Sequence, residues 1–150
     1  MTPQGRILGI DYGEKRIGVA ISDPMCIIAQ GLPTIVYNTF SEALHNLEKI
    51  ASEYSVCRIV VGLPLTMKGT AGFAVKRTRT FVQRLKERVP LPVVFLDERF
   101  STTIAHRALT ELGISPSKNR QKVDKIAATI ILQDYLDRTK TLASDKGSHE

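Results

Sequence analysis

The run Arg6-Ile7-Leu8-Gly9-Ile10-Asp11 narrows the choice of fold more than any other segment, because it is nearly all apolar. A strand with one wet face alternates apolar and polar residues, so a continuous apolar run marks a strand covered on both faces. Tyr12 to Lys15, with Gly13 among them, supply a turn, and Arg16-Ile17-Gly18-Val19-Ala20-Ile21-Ser22 follows as a second strand. The pair reads as a hairpin. A third strand is expected from Leu32 to Tyr37, and Pro33 assigns it to an edge because proline cannot donate to a ladder.

Beyond the meander the pattern changes to helices alternating with buried strands. Ser41 is a candidate N-cap, and Leu44, Leu47, Ile50, Ala51 and Tyr54 recur behind it at helical spacing. A short strand spans Arg58 to Gly62. A basic helix runs from about Ala71 to Arg88, with Ala74, Phe81, Val82 and Leu85 on its inner stripe. Pro90 and Pro92 set it apart from a strand at Val93 to Leu96. Ser101 or Thr102 caps the next helix, which stops at Gly113, a suitable C′ residue. A polar, basic loop from Ser115 to Lys122 precedes the last helix, Val123 to about Arg138. The implied architecture is α/β, one mixed sheet covered by helices, with an antiparallel meander of three strands joined to parallel ones. Residues 1–140 read as one domain, and 141–150 as a disordered polar tail.

A chain of 150 residues with 43% hydrophobic residues can bury a core without staples. No apolar run approaches the roughly 18–20 residues of a membrane span, and Met1 to Arg6 show no signal pattern. Cys26 and Cys57 have no metal or disulfide spacing and read as buried free thiols, so a cytoplasmic protein without membrane attachment is expected. The formal charge of +6 suits a polyanionic partner such as nucleic acid.

The carboxylates fall where chemistry could use them. Asp11 closes the first strand; Asp97 and Glu98 close the last; Asp124 stands in the first turn of the final helix. Ligands of open α/β sheets gather at strand ends, so the acids at the two strand ends could converge if those strands are neighbours. Close carboxylates repel unless a cation intervenes, and an oxygen-only set suits Mg²⁺ or Mn²⁺ rather than zinc. Taken singly, Asp11 could be a turn aspartate and Asp124 a residue favoured by the helix dipole. Adjacent strand residues face opposite ways, so only one of Asp97 and Glu98 can join the others.

Four segments in register resemble one family. Ile10-Asp11-Tyr12-Gly13 with Arg16-Ile17-Gly18-Val19-Ala20, Val61-Gly62-Leu63-Pro64 with Met67-Lys68-Gly69-Thr70, Asp97-Glu98-Arg99-Phe100-Ser101-Thr102, and Lys122-Val123-Asp124-Lys125 look like the YqgF family, also called RuvX. The resemblance spans about Arg6 to Asp137. It implies an RNase H-like domain related to the Holliday-junction resolvase RuvC, in a family whose members are assigned to maturing the 5′ end of pre-16S ribosomal RNA. Carried over by position, the family's acids fall on Asp11, Glu98 and Asp124, with glutamate preferred over Asp97 by similarity to the resolvases. Phe100 departs from a common leucine without touching the acids.

The resemblance implies a metal-dependent nuclease with two Mg²⁺ or Mn²⁺ ions roughly 3.5–4 Å apart. Asp11 would be shared between them, Asp124 would hold one and Glu98 would lie near the other. Lys15, Arg16, Arg99, Lys122 and Lys125 flank the acids and would contact the phosphate backbone. By its place about two turns beyond Glu98, His106 is a candidate for proton transfer, with an exposed or structurally bonded histidine as the alternative. The substrate expected is precursor ribosomal RNA, with a four-way DNA junction as the alternative, and the chain acting as a monomer or weak homodimer. Two rival readings are a phosphotransferase, which would need a second similar domain, and a non-catalytic nucleic-acid-binding module, which would have no use for the acids.

Overall fold

The computed structural model describes residues 5–64, 72–97 and 101–147, excluding the side chains of 101–102 and 141–147. Five strands, β1 (Arg6–Tyr12), β2 (Arg16–Ser22), β3 (Ala29–Val36), β4 (Val56–Leu63) and β5 (Val93–Asp97), form one sheet in the order β3-β2-β1-β4-β5. β1, β2 and β3 pair antiparallel, whereas β4 lies parallel to both β1 and β5. This is the mixed sheet expected from the sequence, and β3 is an edge strand as Pro33 requires.

The sheet is covered on both faces, which is why β1 and β2 lack alternation. Leu8, Ile10, Ile17 and Val19 face α1 (Phe40–Glu53) and α2 (Phe73–Arg88), meeting Leu44, Leu47, Phe81 and Leu85 in the larger core. Ile7, Ala20 and Val60 face the other way, against Ala128, Ile131, Leu132 and Leu136 of α4 (Arg120–Gly147). The remaining helix, α3 (Ser101–Glu111), packs on α4 through Ala105, Leu109 and Val123.

α4 sits unusually close to the sheet because the strands beneath it carry almost no side chains. Gly9 pairs with Ala20 and Ala20 with Gly31, so a row of small residues crosses β1, β2 and β3 in register. A Cβ added at Gly9 would lie 2.7 Å from Leu132 Cβ, and one at Gly31 would lie 2.6 Å from Lys125 Cγ. The next position toward the strand end is Gly18, and there the neighbour is the backbone of Asp124 itself. β3 carries one extra residue opposite the Ile17–Val19 stretch, a bulge that accommodates Pro33. The bulge also brings Thr34, whose hydroxyl donates to the Gln121 carbonyl at 2.7 Å and ties the edge strand to the start of α4.

Several boundaries differ from the sequence reading for local reasons. α1 is capped by Thr39, not Ser41: Thr39 is extended, and its hydroxyl accepts from the Glu42 N–H at 3.2 Å. On α2 the buried stripe includes Val75 and Thr78, with Ala74 only half-buried. α3 ends as expected at Gly113, whose φ of +75° accompanies a bond from Ile114 N–H to the Leu109 carbonyl. α4 begins at Arg120, three residues before the expected start, behind a 3₁₀ turn at Pro116–Lys118. It continues to Gly147, past the boundary expected at 140, since nothing from Thr141 to Lys146 interrupts a helix. Cys26 and Cys57 are free but half-buried rather than fully enclosed.

Candidate functional site

Asp11 is half-buried at the C-terminal end of β1, and its register partner on β2 is Gly18. Opposite residues of an antiparallel pair project to the same face. A Cβ on Gly18 would overlap the carbonyl oxygen of Asp124 and come within 2.7 Å of its carbonyl carbon. Asp11 is therefore on the sheet face against which α4 presses Asp124. The two carboxylates, separated by more than a hundred residues in sequence, come from a strand end and a helix that meet over one glycine.

Asp124 is more constrained than a residue at a helix entrance. It is the fifth residue of α4, not in its first turn, because Asn119 already accepts from the Lys122 and Val123 N–H groups. Its Oδ2 takes a bond of 2.7 Å from Arg16 Nε at the start of β2. Both side chains are largely screened from water, with 29% and 20% of their surfaces exposed. A cation thus already stands against this carboxylate.

The basic residues separate into two groups. Arg16 and Lys122 line a cavity of about 490 Å³ beside Asp124, joined by Lys118 and Arg120, two further basic residues that flank this acid in the sequence as candidate phosphate contacts. Lys15 is exposed in the β1–β2 turn near the same end of the sheet. Lys125 is turned aside: its stem lies along Gly31 of β3, so its methylene groups serve packing. His106 is exposed on α3, and its carbonyl accepts from the Thr110 hydroxyl.

Asp97 pairs with Leu63 at the end of β5. Strand alternation gives it the face of Val93 and Phe95, which belong to the α1–α2 core, whereas Val94 and Leu96 belong to the α4 side. Asp97 is consequently on the opposite face from Asp11. Glu98 and Arg99, and the motif residues Met67 to Thr70, lie outside the described residues. Among the described residues no group of three His, Cys, Asp or Glu side chains is placed to hold a metal, and the candidate acids brought to one face are Asp11 and Asp124. None of the helices among them is long and apolar enough to cross a membrane.

A family model described as "RuvX: Holliday junction resolvase" matches residues 5–138. The chain is 48% identical over 134 residues to a protein of Ruminiclostridium cellulolyticum named "Putative pre-16S rRNA nuclease", covering 89% of this chain and 94% of that one. A protein of the same name from Caldanaerobacter subterraneus subsp. tengcongensis is 47% identical, covering 90% and 98%. Among solved structures, RuvC of T. thermophilus in complex with a Holliday junction substrate matches with a TM-score of 0.55 at 15% identity, covering 90% and 96%. The fowlpox virus resolvase with its junction DNA matches with a TM-score of 0.51 at 14% identity, covering 89% and 98%. The sheet and its helices thus have the RuvC-like, RNase H-like fold.

Proposed function

The chain belongs to the RuvX family, a family of nucleases, and from that premise we propose that it hydrolyses phosphodiester bonds at Asp11 and Asp124 in the cytoplasm. The substrate proposed is precursor 16S ribosomal RNA, at its 5′ end, following the name that the relatives carry. The observation that carries the reading is the seat of Asp124 on Gly18, directly across from Asp11.

The donor set fits a divalent cation. Both groups are carboxylates on one face, and Asp124 already accepts a positive partner in Arg16. Asp11 and Asp124 would hold the ion, with Glu98 as the third acid, since Asp97 is assigned to the other face. Mg²⁺ or Mn²⁺, as a pair of ions, suits such oxygen ligands; when bound, it lowers the pKa of water and neutralises charge on the phosphate.

The chain's own residues supply placement. Arg16 and Lys122, with Lys118 and Arg120 beside them, offer cations to the phosphates on either side of the bond to be cut. Arg16 has a double use: it pairs with Asp124 in the free protein and can turn to a phosphate oxygen when the acid takes a stronger cation. Lys15 extends the basic track, Arg99 is a further phosphate contact proposed from its place after Glu98 in the sequence, and Lys125 contributes charge from a stem fixed on β3.

The test is Asp11→Asn, which preserves shape while removing the charge a hard cation needs. Cleavage of precursor ribosomal RNA in Mg²⁺ should be abolished, the melting temperature unchanged and RNA binding slightly tighter, because a repulsive charge is gone. A four-way DNA junction assayed in parallel separates the two substrates. Cleavage by the variant at the wild-type rate would refute the assignment.

A further inference from the structure

Asp11 and its neighbour Tyr12 project to opposite faces of the sheet, and Tyr12 opens onto a second cavity. Its volume is about 480 Å³, within the roughly 300–1,000 Å³ of ligand pockets. Four aromatic residues line it, Tyr12, Tyr37, Phe40 and Phe73. Tyr12 is stacked on Phe81 with centroids 4.4 Å apart and planes 21° apart, and Phe40 meets the same ring at 6.0 Å. Phe73, in the first turn of α2, is 79% exposed and contributes nothing to the core. The rim is cationic: Lys76 Nζ lies 5.8 Å from the centre of the Phe73 ring, and Arg77 stands beside it. The acid at this cavity, Glu14, is already paired with Arg77 at 3.0 Å.

We infer that this cavity takes the base of an unpaired nucleotide, belonging to the same strand whose phosphate reaches Asp11 and Asp124. The inference rests on the nuclease reading above and adds the substrate's form. A base is flat and aromatic on both faces and carries a phosphate on its sugar, so it needs a stacking wall and a cation together. An apolar peptide would leave Lys76 without use, and a small anion would leave the aromatic walls without use. Asn38 at the edge adds amide donors and an acceptor for a base edge. Bases inside a duplex are stacked on each other and cannot enter, so the occupant comes from a single-stranded stretch or end.

Tyr12 directly follows Asp11 at the end of β1, so a strand that passes over that end would meet both faces of the sheet.

Phe73 is the residue to vary, because its exposure separates its role from folding. In the absence of divalent metal, fluorescence anisotropy compares a short single-stranded RNA with the same sequence annealed to its complement. Phe73→Ala should weaken single-strand binding by roughly 5- to 150-fold and leave duplex binding unaltered. The chain has no Trp, so Phe73→Trp introduces a lone indole. Its emission should be quenched by the single strand and not by the duplex, while affinity is kept. Equal losses on both RNAs, no loss on either, or an indole that ignores RNA and responds to an apolar peptide would each overturn the proposal. These outcomes leave the effect of Asp11→Asn on cleavage untouched, so a failed pocket and a failed active site are told apart. A protein that quenches the indole yet cuts no nucleic acid would sink the nuclease assignment alone.

Discussion

Gly18→Ala is the smallest change that should disturb the acids without altering any of them. The new methyl carbon would lie 2.7 Å from the carbonyl carbon of Asp124, whereas ordinary contact begins near 3.4 Å. The obstacle is backbone, so no side chain can swing away, and because the Asp124 carbonyl oxygen lies nearer still, α4 must retreat from β2 by about 1 Å or more at that point. Overpacking of this kind costs about 1–3 kcal/mol, which in a domain of this size lowers the melting temperature by roughly 2–12 °C. Misplacing a catalytic group by about 1 Å can cost on the order of 10²-fold in rate, so cleavage should fall by about that factor while the protein stays folded. Melting temperature and Mg²⁺-dependent cleavage measured on one preparation check both numbers. A variant with wild-type values for both would refute the claim that α4 is seated on Gly18. Lost cleavage with an unaltered melting temperature would mean that the methyl meets substrate instead of helix.

Affinity for RNA should fall by one to several orders of magnitude between 50 and 200 mM salt, since each phosphate contact releases counterions. Lys118→Ala and Lys122→Ala should each reduce the slope of log affinity against log salt by about one; unchanged slopes would remove the cavity beside Arg16 from the binding face. At the other end of the sheet, Asp23 is held below the ordinary carboxylate pKa by the Ile28 N–H and then by those of Ile27 and Met25, outweighing the effect of burial. Because the folded value is depressed, the loop order it provides is fully present above the ordinary value of 3.8 and is lost as pH falls through the lower folded value. The amide shifts of Ile27 and Ile28 followed by NMR should therefore titrate below 3.8, and titration at or above it would contradict the three bonds.

The meander and the parallel strands were readable because burial on both faces leaves a plain mark, an unbroken apolar run, in β1, β2 and β4. The start of α4 was harder. Ser115 to Lys122 looks like a loop by composition, yet Pro116 opens a 3₁₀ turn and Asn119 feeds directly into the helix, binding the Ser115 carbonyl through its side chain at 2.8 Å. The three-residue error placed Asp124 near the helix dipole, when a guanidinium is its actual partner. Their places at a strand end and a helix start marked Asp11 and Asp124 as candidates, and the family resemblance joined them, but their meeting depends on how closely a helix approaches a strand. The signal existed in the glycines: Gly9, Gly18 and Gly31 fall on three strands and, once β1, β2 and β3 are paired, clear the path of α4. The aromatic cavity left less trace still. Phe73 and Phe40 are both near helix starts, where a sequence reading expects ordinary burial, and only the fold shows Phe73 on the outside.

The division of β1 between its two faces has a consequence for how such a protein can change. Asp11 answers to β2 and α4, through Gly18 and the pair of Asp124 with Arg16. Tyr12 answers to α1 and α2, through Phe81 and the rim of Lys76 and Arg77. Under the proposed function, the chemistry of the cut and the choice of what is cut rest on different helices, reached from two residues of β1 that one peptide bond joins. Substitutions on the outer face of α2 can alter which nucleotide is held without moving a carboxylate, since α2 and α4 are separated by the sheet. Substitutions under α4 have no such freedom: the helix rests on backbone, and any shift there moves Asp124 and the cations at its start together. Recognition in this fold is therefore the adjustable part, and the acid pair is the rigid one, because a close-packed glycine contact transmits displacement whereas an open cavity absorbs it.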